Sequence, residues 1–453
     1  EDVDVYRTTL ESLMAEGKID KNGVRYDPYS GLEVEAPVLG LFHEGESVDA
    51  VQAGDAVEVM LPKTSFYVEA GGQVSDAGLI VSADEPRWEI RVDDMRKPAA
   101  GVIVHVGVVV KGTPRSGDVA IARVDEARRK AIMRNHTATH LLHAELHAVL
   151  GDHARQAGSL VAPDRLRFDF THPEAITPEQ LDEIEVRVNR AILENHHLKT
   201  VVKPLQQAIA EGAMALFGEK YGDTVRTISI GNHEIFSYEL CGGTHVNETG
   251  DIGIFLITSE GSAAAGIRRI EAVTGQTAYN LVRRRFQLLK ETAALLTASV
   301  DEVPAKTQSL VEDLDKSRKQ NHKLRQELVA FEFERKLAAV SRIGDVPVLA
   351  AVLGNADADT LRQMCDRFRE KYPSGVVVLG SAVENRPTLI AAVTDDLVKR
   401  GLNAGELVRV AAQVIGGSGG GRPTLAQAGG KDAAKLSEAV DQILPLVKAK
   451  LSA

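Results

Sequence analysis

Residues 134–143 read Arg134-Asn135-His136-Thr137-Ala138-Thr139-His140-Leu141-Leu142-His143. From Asp125 onward, apolar residues recur with a helical period, with Ala131, Ala138, Leu141, Leu142 and Leu146 on one side, which predicts one long helix. His136 and His140 stand about one turn apart on it, so both imidazoles leave the same face and can grip one metal ion. His143 and His147 form a second such pair on the same stripe. Taken alone, a histidine pair of this spacing fits solvated or core side chains equally well. The metal reading strengthens at Cys241-Gly242-Gly243-Thr244-His245, where two glycines let the backbone fold a thiolate and an imidazole toward one point. One soft thiolate with imidazoles is a zinc-type ligand set that needs neither redox chemistry nor hard oxygen ligands. Four bound ligands would close the site, whereas three would leave a position for water or substrate.

Outward from this helix the pattern is mixed. A second helix is predicted from Thr177, which caps it ahead of Pro178, to about residue 196. Strand-like runs at 166–170, 225–230 and 252–259 complete an α+β domain over residues 116–275. Upstream, residues 25–115 alternate in short runs at 34–42, 56–61, 78–81, 88–93 and 102–110, punctuated by Gly54-Asp55 and Gly71-Gly72. A small β-barrel fits these runs. Residues 1–24 contain a helix-like stretch with no obvious partner and read as the residual helix of a missing domain. Residues 276–340 are almost free of Gly and rich in Leu, Ala, Lys, Arg and Glu. A break at 299–304 would turn them back as an antiparallel helical spacer. Residues 341–453 read as a C-terminal α/β domain: strand 346–353, helix 359–371, strands 375–379 and 388–394, helix 403–415, a glycine-rich loop and helix 432–451. The fold class is therefore α+β multidomain.

A chain of 453 residues exceeds one hydrophobic core. It has no apolar run of the roughly 18 to 20 residues that a membrane helix needs and no signal segment, so a cytoplasmic protein without a membrane partner is expected. Only Cys241 and Cys365 are present, which excludes a disulfide scaffold. The net charge of −11 argues against wholesale wrapping of nucleic acid and confines RNA contact to local basic patches. Arg283-Arg284-Arg285 and residues 316–325 are such clusters, with a solvated helix face as the plainer reading. Gly416-Gly417-Ser418-Gly419-Gly420-Gly421-Arg422-Pro423, followed by Lys431, would let backbone N–H groups and a cation approach phosphate. A flexible turn has the same composition.

The histidine helix and the 241–245 motif resemble the editing domain of the alanyl-tRNA synthetase family. Three further stretches agree: Phe66-Tyr67-Val68-Glu69-Ala70-Gly71-Gly72-Gln73, then 156–161 leading into 167–170, then 215–223. The glycine-rich stretch at 416–423 is similar to that family's C-terminal RNA-binding domain. The resemblance implies an α+β editing domain of the second additional domain type shared by threonyl and alanyl enzymes, with one zinc ion on His136, His140, Cys241 and His245. It implies hydrolysis of the ester joining serine or glycine to tRNA(Ala). Thr139 would line the pocket and help exclude alanine, Gln156 would hydrogen-bond the substrate, and Gln73 and Arg268 are further candidates. Arg268, expected in a loop after Gly266, would meet the terminal adenosine or a phosphate. Gly419, Gly420, Gly421, Arg422 and Lys431 would contact tRNA(Ala), in a domain often associated with homodimer formation.

Two departures from the family pattern stand out. Ala70 replaces the first of three glycines, so a left-handed backbone is not expected there. The aminoacylation domain has no counterpart, so ATP and magnesium belong to that missing part and this chain is not expected to attach alanine. Two other readings share the metal site: a free-standing deacylase acting in trans, and a non-catalytic zinc-stabilised RNA-binding module. The missing initiating Met counts against the first. An Asp-His-His phosphoesterase is set aside because the chain has no such triplet.

Overall fold

The computed structural model describes residues 3–85, 87–215 and 221–452. Of the resembling stretch 215–223, residues 216–220 lie outside the described residues. The chain divides into two compact units, Glu1–Leu289 and Lys290–Ala453.

In the first unit, eight antiparallel strands form one curled sheet in the order Glu33–Pro37, Val119–Val124, Gly78–Ser82, Glu89–Arg96, Val104–Lys111, Ala56–Met60, Gly40–His43 and Glu46–Val48. Glu33–Pro37 and Glu46–Val48 end the order as edge strands, so the expected small β-barrel is a curled half-barrel. Helix α1 (Val3–Ala15) sets Tyr6, Leu10 and Leu13 into the same core as Phe42, Val59 and Ile90. The Tyr6 and Phe42 ring centroids are 4.7 Å apart. The first helix is therefore an integral part of the half-barrel, which corrects the expectation of an orphan at residues 1–24. The missed signal is its apolar spacing at 6, 10 and 13.

Helix α2 (Glu126–Leu150) starts where the Asp125 side chain accepts from Arg128 N. It buries Ala138, Leu141, Leu142 and Leu146 against helix α3 (Pro178–Leu193) and two antiparallel sheets. Thr177 and Gln180 form a reciprocal capping box on α3, a device worth about 1 kcal/mol. The four-stranded sheet runs Gln156–Val161, Leu166–Thr171, Ile267–Thr274, Phe255–Ala264, and the three-stranded sheet runs Leu198–Pro204, Thr224–Ile230, Ser237–Leu240. The half-barrel is fastened to this domain at residues 70–73. Gly71 and Gly72 are left-handed (φ 58° and 82°) while Ala70 is not. Val74 N donates to Val161 O and Val161 N to Gly72 O.

The second unit carries the helix Val303–Leu337 and a six-stranded sheet ordered Ser341–Ile343, Val346–Val352, Val376–Val383, Arg386–Val393, Leu425–Gly429, Ser418–Arg422. The helix Ala358–Lys371 covers one face, while Ala404–Val414 and the last helices cover the other. Ser418–Arg422 is an edge strand paired with Leu425–Gly429, so the expected glycine-rich loop is corrected to a β-hairpin. Its glycines are there for close approach: a Cβ on Gly419 would lie 2.3 Å from the Ala428 side chain, and one on Gly421 would lie 2.6 Å from Ala426 Cα. Likewise the expected helix 432–451 is broken into Ala433–Lys435, Leu436–Asp441 and Ile443–Ser452.

Candidate metal centre

Helical spacing brings His136 and His140 onto one face of α2, and the loop after Ser237–Leu240 delivers Cys241 and His245 to the same point. One donor atom from each of the four lies within 4.8 Å of every other. Cys241 Sγ is 3.3 Å from both His136 Nε2 and His245 Nε2. A tetrahedron built on ordinary zinc–sulfur and zinc–nitrogen bonds has such an edge of about 3.5 Å, so these two separations match that ion's size, and the four donors, all within 4.8 Å of one another, could hold a metal. Gly243 is required by this geometry. A Cβ there would sit 1.9 Å from His136 Cε1, whereas one on Gly242 would meet nothing within 4 Å.

Each histidine has a different partner on its Nδ1 side. His136 Nδ1 is 2.7 Å from Gln73 Oε1, which also accepts from Thr244 N, while Gln73 Nε2 donates to Thr244 Oγ1. His245 Nδ1 is 3.1 Å from Thr137 Oγ1. His140 Nδ1 lies 3.3 Å from Glu239 Oε2. Nε2 is thus the nitrogen left for an ion on all three rings. Burial pushes all three imidazoles below their ordinary value, with help from neighbouring histidines and from Arg226. They are held neutral, the form that ligates metal. The loop carbonyls are tied back as well. Arg226 Nη1 donates to Cys241 O and Gly243 O, the Tyr29 hydroxyl donates to Gly242 O, and the Arg226 guanidinium lies 4.1 Å over the Tyr29 ring.

The cluster opens on a cavity of about 210 Å³ lined by Tyr67, Thr139, Gln156, Ser159, His140 and Glu239, among others. Thr139 is buried and its hydroxyl donates to Asn135 O. Gln156 Nε2 donates to Ser159 Oγ. Both line the cavity. Gln73 does not line it, since its amide is fully buried and engaged by His136 and Thr244. Arg268 lies in the strand Ile267–Thr274, paired 2.6 Å from Glu260, which corrects the loop expected after Gly266. Gly266 itself (φ 71°) makes the turn, and the ladder resumes at the next residue. Gly419, Gly420, Gly421, Arg422 and Lys431 belong to the second unit. His143 and His147 stay outside the donor cluster. Glu239 and Ser237 were legible in principle, because strand alternation back from Cys241 puts both on its side. Nothing local announced Tyr29 or Arg226.

The fold and site define a class, the tRNA synthetases. Residues 8–128 match the model for tRNA synthetases class II (A), which reaches through α1 and the half-barrel. Residues 225–271, with Cys241 and His245, match the threonyl and alanyl tRNA synthetase second additional domain, and residues 345–451 match the DHHA1 domain. Within that class the chain belongs to the alanyl-tRNA synthetase family. It is 45% identical over 423 residues to the alanine–tRNA ligase of Pelotomaculum thermopropionicum, covering 93% of this chain and 48% of that protein. It is 44% identical over 445 residues to that of Geobacillus thermodenitrificans, covering 98% and 50%. The chain thus spans about half the length of the curated relatives it matches. The solved C-Ala domain from Aquifex aeolicus alanyl-tRNA synthetase aligns at 30% identity over 25% of this chain and 98% of that one, with a TM-score of 0.22. Among the described residues, no helix is long and apolar enough to cross a membrane.

Proposed function

We propose that this chain is the proofreading part of an alanine–tRNA ligase and hydrolyses Ser-tRNA(Ala) and Gly-tRNA(Ala) beside one zinc ion held by His136, His140, Cys241 and His245. The observation that carries the reading is the convergence of these four donors at a small polar cavity. A pocket selecting alanine separates it poorly from glycine, which lacks a methyl group, and from serine, which adds a hydroxyl. Such differences are worth only about 1–3 kcal/mol, so accuracy needs a second, hydrolytic site.

When bound, zinc supplies a Lewis-acidic centre that holds and polarises the aminoacyl end. The protein groups do the selecting. The Thr139 hydroxyl, its proton committed to Asn135 O, offers its lone pairs to a substrate hydroxyl or ammonium. Gln156 hydrogen-bonds the substrate from the facing strand and keeps it in line for water attack. A site built for a hydroxyl leaves these groups unpaired when alanine enters, which separates serine from alanine. The C-terminal hairpin, through Gly419, Gly420, Gly421 and Arg422, with Lys431 just after it, binds the tRNA(Ala) body and supports a homodimer. In the whole ligase, attachment of alanine with ATP and magnesium is assigned to the aminoacylation domain.

Four protein donors also suit a purely structural zinc site in an RNA-binding module. Cys241→Ala separates the two readings. It is expected to lose zinc and the deacylation of Ser-tRNA(Ala) together, and deacylation at the parent rate in a zinc-free variant refutes the catalytic reading.

A further inference from the structure

Glu239 is a buried carboxylate that the hydrolytic reading does not use. It stands on the strand Ser237–Leu240 with one oxygen on each of two histidines: Oε2 lies 3.3 Å from His140 Nδ1, and Oε1 lies 3.2 Å from His143 Nδ1. The Ser237 hydroxyl donates to Oε1 from 3.2 Å. Of the three clustered histidines, His140 is the one whose Nδ1 faces a carboxylate, since His136 has an amide oxygen and His245 a hydroxyl. That His140 nitrogen is buried and makes no hydrogen bond, and the Glu239 oxygen beside it is an ion-pair contact that a small rotation of either side chain would align. His143 is itself wedged, 5.2 Å from the Phe168 ring and 4.6 Å from the His147 ring.

We infer that Glu239 is a positioning residue of the metal centre. It fixes the His140 ring with Nδ1 protonated and Nε2 toward the ion, and His143, although not a ligand, is the post against which Glu239 is braced. This inference rests on the zinc reading. A carboxylate behind a ligating imidazole fixes its tautomer and orientation and raises its basicity, and loss of such a partner typically lowers metal affinity about 10- to 100-fold. Because the two imidazoles face different oxygens, a carboxylate can accept from both, whereas an amide in its place turns an NH2 donor toward one of them. His143 and Glu239 therefore act as a unit, because removing either releases the other's grip.

The test uses the full chain, stripped of metal and titrated with zinc against a chromophoric chelator, with cobalt(II) absorption as a second readout of ligand geometry. Glu239→Gln is expected to bind zinc about 10- to 100-fold more weakly and to show an altered cobalt spectrum, with Glu239→Asp recovering part of the affinity. His143→Phe is expected to shift both readouts in the same direction by a smaller factor. If the parent binds no zinc, the metal reading fails. If the parent binds and folded Glu239→Gln matches it within about twofold, with an unchanged cobalt spectrum, the inference is overturned. Should Glu239→Gln not fold, the nitrogen shifts of His140 in the zinc-loaded parent decide. A proton on Nδ1 that exchanges slowly with solvent supports the inference, and an unprotonated Nδ1 refutes it.

Discussion

Replacing Gly243 by alanine perturbs the centre by one methyl group at its tightest point. A Cβ there stands 1.9 Å from His136 Cε1, 2.2 Å from His136 Nδ1 and 2.8 Å from Gln73 Oε1, against 3.4 Å or more for an ordinary contact. The His136 ring must retreat by about 1.5 Å to reach that distance. The 2.7 Å link to Gln73 opens, and Nε2 leaves its 3.3 Å position beside Cys241 Sγ. Overpacking of this kind costs about 1–3 kcal/mol, which corresponds to a loss of zinc affinity of roughly 5- to 150-fold. The neighbouring change, Gly242→Ala, places its methyl group in open space and supplies the control. Competition with a chromophoric chelator measures both. Zinc affinity of Gly243→Ala within twofold of the parent, or an equal loss in Gly242→Ala, refutes the reasoning.

Other expectations concern the half-barrel. His105 is fully buried between Thr64 Oγ1 and Val59 O, and burial pushes it down from 6.5 to about 4. Because the folded value lies below the unfolded one, its contribution is complete above pH 6.5 and lost as pH falls toward 4. That interval is worth about 3 kcal/mol. Denaturation of the parent and of His105→Gln across this range should show the parent losing more, and parallel profiles would contradict the assignment. Arg129 and Asp76 form a buried pair, and Arg129 also donates to Pro28 O and Ser65 O. Arg129→Met strands the carboxylate and should destabilise the chain by about 3–5 kcal/mol, measured by urea unfolding; a change below about 1 kcal/mol would show that the pair is dispensable.

Local spacing made the His/Cys cluster legible. His136 and His140 follow from the helical repeat, and Cys241 and His245 from a loop with glycine at the one position that tolerates no methyl group. The contacts that brace them were less legible where they arrive from far away in sequence. Gln73 crosses 171 residues to reach Thr244, and Tyr29 crosses 213 to reach Gly242. Glycine content misled at 416–421, where tight strand packing and a flexible loop give the same composition. The Val3–Ala15 helix read as an orphan because its partners are half-barrel strands whose inward faces emerge only once the sheet curls.

The most direct measurement of the central claim is deacylation of Ser-, Gly- and Ala-charged tRNA(Ala) by this chain, with and without a zinc chelator. The account predicts hydrolysis of the serine and glycine esters, sparing of the alanine ester, and loss of activity on chelation that added zinc restores. Equal hydrolysis of all three esters, or full activity in the chelated protein, would contradict it.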